Sequence, residues 1–236
     1  MNFGDLKIMT RALLPGATTT ALSNETLELI INSGLLDVAT ALEVPPKNTT
    51  FTITEDQAEY RLSTIASDFL MFQSSGVWWY DGSNWLKLES VTLEYMDNTY
   101  PNWRDDSSND PKRYFRNGDK ITLHPTPDTT GTDYGKLYYV RRPPTMTAYN
   151  QYPFAIDGTQ TTEIPQYSIL SDCILAYCVW KGSEILGKLK KVSVQEIELN
   201  RQEYYSELMD KRTRININAD VNNNSELRYQ GHVFRR

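Results

Sequence analysis

Histidine and cysteine are scarce, with two of each in 236 residues. His124 and His232 lie far apart in the chain, and no Cys-x-x-Cys or His-x-x-x-His spacing occurs. That leaves too few ligands at metal spacing for a zinc centre. Cys173 and Cys178 stand five positions apart in a stretch that reads as helix. At about 100° of turn per residue they point apart, so buried, reduced thiols are expected rather than a disulfide.

Long apolar runs are missing as well. The longest, near 175–180, falls far short of the ~20 residues that span a bilayer. Residues 1–14 interleave Asp5, Lys7 and Arg11 with apolar side chains and hold no signal-peptide core. Phosphate-binding glycine loops and the Gly-x-Ser-x-Gly elbow are absent. A Ser-His-Asp triad would have to use His124, which sits between Leu123 and Pro125 with no nucleophile motif beside it. Thirty acidic residues leave a hydrolytic carboxylate pair open by count alone, yet no pattern singles one out. The loop Asp105-Asp106-Ser107-Ser108-Asn109-Asp110 resembles a calcium loop but lacks the central glycine. Its closing position falls on Arg116 or Asn117 in place of glutamate, so it reads as a solvated loop. No catalytic residue, cofactor or metal is assigned. Basic charge is in deficit too: 24 basic against 30 acidic residues give a net of −6, which argues against a protein that coats nucleic acid.

Aromatic side chains are abundant: 5 Trp, 15 Tyr and 7 Phe, 11% of the chain. They suit strands and half-wet interfaces. Hydrophobic residues make up only 39% and mean hydropathy is −0.53, so a core forms while part of the chain stays polar.

Residues 1–46 read as two helices. Phe3, Leu6, Met9 and Leu13 recur at helical spacing until Pro15-Gly16. Ser23 is placed to cap a second helix, with Leu22 and Leu27 spaced as a hydrophobic staple. Leu27, Ile30, Ile31, Leu35, Val38 and Leu42 then form one stripe, which Val44-Pro45-Pro46 ends. Over 47–164 the period changes to two. Alternating stretches at 51–54, 60–62, 69–72 and 77–80 and the turn Asp81-Gly82-Ser83-Asn84 predict a many-stranded antiparallel sandwich or barrel. Residues 98–111 read as a loop, and strands resume near 114–115, 120–123 and 137–141.

Residues 165–213 return to helix, opened by Ile164-Pro165. Leu170, Cys173, Ile174, Tyr177 and Trp180 share one face; after a break at Gly187, a second helix from about 189 to 213 carries Val194, Ile197, Tyr204, Tyr205 and Leu208. Tyr204 and Tyr205, flanked by Arg201 and Arg212, read as a packed helix face rather than a stacking site for bases. Residues 214–236 form a tail in which Asn216, Asn218, Asn222, Asn223 and Asn224 act as breakers. From Lys211 onward six basic and two acidic residues give a local charge of +4. Ordering such a tail costs roughly 1 to 2 kcal/mol per residue, so it needs a body or a partner to pack on.

This layout resembles that of the head-to-tail adaptor, or connector, proteins of tailed bacteriophages. The local echoes are Asn117-Gly118-Asp119-Lys120-Ile121-Thr122-Leu123 running into His124-Pro125-Thr126-Pro127-Asp128, then Leu137-Tyr138-Tyr139-Val140-Arg141-Arg142-Pro143-Pro144, and last Ile164-Pro165 opening a helix that carries Tyr177. The resemblance implies an α+β fold: a helical bundle made from both ends of the chain, an inserted antiparallel β domain and an extended C-terminal arm. It implies a ring of copies, commonly twelve, in the virion neck between the portal protein and a tail or nozzle protein. Assembly would take place in the host cytoplasm, and double-stranded DNA would pass through without sequence-specific binding. The arm would dock on the portal, through Ile215, Ile217, Val221, Leu227, Arg228, Tyr229, Val233, Phe234, Arg235 and Arg236. The residues by themselves also suggest a second reading, a carbohydrate-binding module of a virion or surface protein that uses Trp78, Trp79 and Trp85 as a stacking platform.

Overall fold

The computed structural model describes residues 1–155 and 160–231, with side chains described as far as 215. Its elements begin with α1 (Phe3–Leu13), α2 (Asn24–Leu42), β1 (Pro46–Ile53), β2 (Glu59–Arg61) and α3 (Leu62–Ile65). They continue through β3 (Phe69–Tyr80), β4 (Trp85–Lys87), β5 (Glu89–Ser90), α4 (Leu93–Thr99) and a 3-10 turn at Trp103–Asp105. Then come β6 (Arg113–Asn117), β7 (Lys120–His124), β8 (Gly131–Arg141), α5 (Pro165–Ser168), α6 (Ser171–Lys188) and α7 (Val194–Gly231). The chain divides into two compact units: Met1–Leu42 together with Pro143 onward, and Glu43–Arg142.

In the helical unit each helix start is written locally. Asn2 and Asp5 form a reciprocal capping box on α1, with Asp5 N donating to Asn2 Oδ1 at 2.8 Å. Ser23 Oγ accepts from Thr26 N at 3.2 Å, and Leu22 and Leu27 on either side of it are both fully buried. All six residues of the expected α2 stripe are buried. Gly34 on α2 permits close approach to α6, because a Cβ there would lie 2.7 Å from the ring of Tyr177.

Three readings are corrected here. The buried face of α1 is Phe3, Leu6 and Thr10, while Met9 and Leu13 are exposed. The Thr10 hydroxyl is satisfied by donating to the Leu6 carbonyl at 2.7 Å, which makes a polar residue tolerable inside. The β unit closes at Arg142, short of the boundary at 164, because the following stretch hydrogen-bonds to the helices. Phe3 N donates to Gln151 O, Gly4 N to Tyr149 O, and Asn32 pairs with both backbone groups of Met146. Finally, the second C-terminal helix does not end at 213: α7 runs on to Gly231. No proline or glycine interrupts 194–230, and each asparagine costs less than about 1 kcal/mol against alanine in a helix that is already nucleated.

The β unit holds two four-stranded sheets, ordered β1-β8-β3-β4 and β2-β7-β6-β5. All pairs are antiparallel except the short parallel pair β5–β6. Phe51, Ile53, Val77, Trp79, Leu137 and Tyr139 from the first sheet meet Tyr60, Tyr114, Ile121 and Leu123 from the second in one core. The stretches 69–72 and 77–80 are a single strand, β3, with an irregular bulge between Phe72 and Val77. Gly76 sits in that bulge at φ +61°, and its bare Cα lies under the Tyr114 hydroxyl.

Candidate functional site

The helix α7 is the longest element, with 38 residues, which at 1.5 Å per residue makes it about 57 Å long. Ser193 starts it, its hydroxyl accepting from Glu196 N at 3.2 Å. Only part of it faces its own unit. Tyr204, Leu208 and Lys211 are buried, Ile197 is half-buried, and Ile215 continues the same stripe, also half-buried.

Tyr204 anchors this stripe. Its ring stacks on Trp180 at 5.6 Å and meets Tyr177 edge-on at 5.3 Å, and its hydroxyl donates to Asp37 on α2. Burial, and then the bond to Asp37, push its ionisation well above the ordinary phenol range. Lys211 lies buried among Glu207 at 3.3 Å, Asp210 at 3.5 Å and Asp172 at 4.0 Å. Burial pulls its pKa down, but its hydrogen bond and charge pairing with Glu207, then Asp172, outweigh that and leave it raised. It therefore stays cationic inside the unit.

Three apolar residues of α7 outside this stripe are uncovered within its unit: Val194 is 81% exposed, Leu199 63% and Met209 73%. The same holds for Ile8 and Leu13 on α1 and Leu29 on α2. Of the fourteen large apolar side chains that are exposed among the described residues, twelve belong to the helical unit. The sequence reading missed this surface. Its signal was the apolar residues left outside each stripe, Ile8 and Leu29 among them.

Of the proposed docking residues, only Ile215 has a described side chain. The Cα positions of Ile217, Val221, Leu227, Arg228 and Tyr229 lie on α7, whereas Val233, Phe234, Arg235 and Arg236 lie outside the described residues. At about 100° per residue the Cα atoms of Ile215 and Ile217 lie roughly 200° apart, so these two do not share a face. Ile217, Val221 and Arg228 fall within about 40° of one another around the axis.

The tryptophan cluster is split by strand alternation. Trp79 is buried in the sandwich core, while Trp78 and Trp85 lie on the outer face of the first sheet. Trp78 Nε1 donates to Ser75 O at 2.9 Å, and Trp85 packs on Tyr80 at 5.3 Å under the Lys136 ammonium at 4.1 Å. The three rings therefore do not form one stacking platform, which corrects the carbohydrate reading. The acidic loop is divided likewise. Asp106 lies 2.9 Å from His124 Nε2, Ser108 donates to Asp56, and Asp110 N donates to Asn109 Oδ1 at 2.8 Å. Among the described residues no group of His, Cys, Asp and Glu is arranged to hold a metal ion, and no helix is long and apolar enough to cross a membrane.

Cys173 and Cys178 are both buried and free. Burial, with Glu207 nearby, pushes Cys173 up to about 12, and burial alone pushes Cys178 higher still, so neither is a poised nucleophile.

Compared with protein families, residues 1–230 match the family model described as SU10 adaptor protein. No curated protein matches the chain.

Proposed function

The chain belongs to the SU10 adaptor protein family, and from that membership we propose that it works as a ring in the virion neck, joining the portal to a tail or nozzle protein. Membership makes it a structural head-to-tail adaptor of a bacteriophage, a role that implies no catalysis. The ring, the docking arm and the passage of DNA are the finer part of the proposal.

The observation that carries it is the shape of α7. Its packed stripe runs to Ile215, the last described side chain, and the helix backbone continues through 216–231. A helix that continues from a packed one needs no new nucleus, so presenting it to a partner costs less than folding a loose tail. Ile217, Val221 and Arg228 share a side of it and form the core of the proposed portal contact. Ile215, Leu227, Tyr229, Val233, Phe234, Arg235 and Arg236 complete the set. The exposed apolar surface of the helical unit supplies lateral contacts between copies. A ring multiplies weak arms, because many bind together at high effective concentration. An acidic body suits a channel through which double-stranded DNA slides without sticking. Assembly would occur in the host cytoplasm.

Deleting 216–236 tests the arm. The shortened chain should keep its urea midpoint and lose portal binding in sedimentation or native mass spectrometry. Unchanged affinity for the portal overturns the docking role.

A further inference from the structure

We propose that copies of this chain join edge to edge through their β units, the segment 85–90 of one copy seating in the cleft between β1 and β2 of the next. The proposal rests on the ring reading above and names the surface that would close the ring.

Each side of the sandwich ends in a pair of edge strands. On one side lie β1 and β2, at the ends of their sheets; on the other lie β4 and β5. The two sides differ in form. Strands β4 and β5 are one continuous segment, which bonds first to β3 in one sheet and then to β6 in the other, with Leu88 buried at the crossing. Between β1 and β2 there is instead a cleft of about 630 Å³, lined by Thr50, Phe51, Thr52, Tyr60, Arg61 and Ile65 among others.

The free backbone edges can be assigned. Arg141 N donates to Pro45 O, so alternation along β1 turns the backbone groups of residues 48, 50 and 52 away from β8 and outward. Leu88 N donates to Val77 O and Asp81 N to Asn84 O, which likewise turns residues 85 and 87 outward from β4. On both edges these outward residues carry their side chains on the outer face of the sheet. Thr50 and Thr52 are exposed, and Trp85 and Lys87 lie opposite Tyr80 and Trp78. A strand pair built from the two edges therefore keeps inner face with inner face; a mismatch of one residue would have prevented it. Polarity agrees as well. Strand β3 is antiparallel to β8, and so is β1, so β4 runs antiparallel to β1 and continues the antiparallel order of the sheet.

Two side chains gain by this union. Leu86 faces the inner side opposite Trp79, yet at the sheet's end it is 45% exposed. A neighbour's Phe51, Tyr60 and Ile65 would cover it. Glu89, whose side chain is largely exposed beside Arg113, would reach the exposed Arg61 on β2. The contact joins two different surfaces, so it repeats head to tail and closes on rotation into a ring.

The test uses full-length single-cysteine additions at exposed positions: Lys87→Cys mixed with Thr50→Cys or with Asn48→Cys, which covers two registers. Directly bonded antiparallel pairs lie about 5.5 Å apart at Cα, within disulfide reach. The samples are oxidised alone and with a portal ring. A disulfide-linked dimer should appear in a mixture and in neither variant by itself. Linkage within single-variant samples points to a symmetric contact and overturns the proposal, as does no linkage in either mixture with or without portal. Portal binding is read in the same samples. Docking without cross-links sinks this inference alone, and cross-links without docking sink the portal reading alone.

Discussion

Tyr204 shows how a single side chain ties α7 to its unit. It is fully buried, stacked on Trp180, edge-on to Tyr177, and bonded through its hydroxyl to Asp37. Removing the hydroxyl alone, in Tyr204→Phe, should lower stability by about 1.5 to 3 kcal/mol, the usual net worth of a bond to a charged group. Tyr204→Ala removes the ring and leaves a cavity, at about 3 to 5 kcal/mol. Urea unfolding followed by tryptophan fluorescence checks the ranking; equal losses would show that the ring contributes nothing beyond the hydroxyl. Tyr205, its neighbour, is partly exposed. The sequence placed both tyrosines together, and only the direction of each along the helix separates the anchor from the surface residue.

Among the elements, the first sheet is tied at one end by Asp68, just before β3. Asp68 Oδ2 accepts from Lys47 on β1 at 2.8 Å and Oδ1 from the Tyr139 hydroxyl on β8 at 2.6 Å. Burial raises the carboxyl's pKa, but the bonds from Lys47 and Tyr139 outweigh it, so the net shift is downward. A depressed folded pKa means that the unfolded chain takes up the proton first as pH falls. The contribution is thus present above the ordinary carboxylate range and is lost as pH drops through the folded value. Asp68→Asn should lower stability at neutral pH and flatten its decline as pH falls below the ordinary carboxylate range, about pH 4. Urea midpoints across that range measure it, and parallel curves for the two proteins would remove Asp68 from the acid response. Helices such as α2 were legible because a single apolar stripe at helical spacing is the face that is buried. Strand β3 was read as two pieces because its bulge around Gly76 interrupts the alternation, and the two-residue β5 is too short to leave a pattern.

For the whole molecule, the division into two units carries a prediction of its own. The β unit begins and ends side by side, with Arg141 N donating to Pro45 O and Arg142 N to Asp68 O. It has its own core of aromatic and aliphatic residues from both sheets. Expressed alone, residues 43–142 should fold and unfold cooperatively in urea, with near-ultraviolet circular dichroism from the buried Trp79. A featureless near-ultraviolet spectrum would mean that this core depends on the helical unit. Insertion of such a unit into a helical one leaves the helices to be completed from both ends of the chain, as the period change at 47 already implied.

What the sequence by itself determined was periodic: helices at both ends, strands between, the capped start and full stripe of α2, and a layout like that of phage adaptors, which the family match supports over 1–230. What only the tertiary structure decided was which side of each element is covered. Thr10 is inside while Met9 is out, Trp79 is core while Trp78 and Trp85 are surface, the stretch after Arg142 pairs with helices, and α7 passes through its asparagines to Gly231. The reason is physical. Periodicity arises from repeats along one element and survives in the one-dimensional chain, whereas burial depends on what neighbouring elements place against each face, and no local spacing records that.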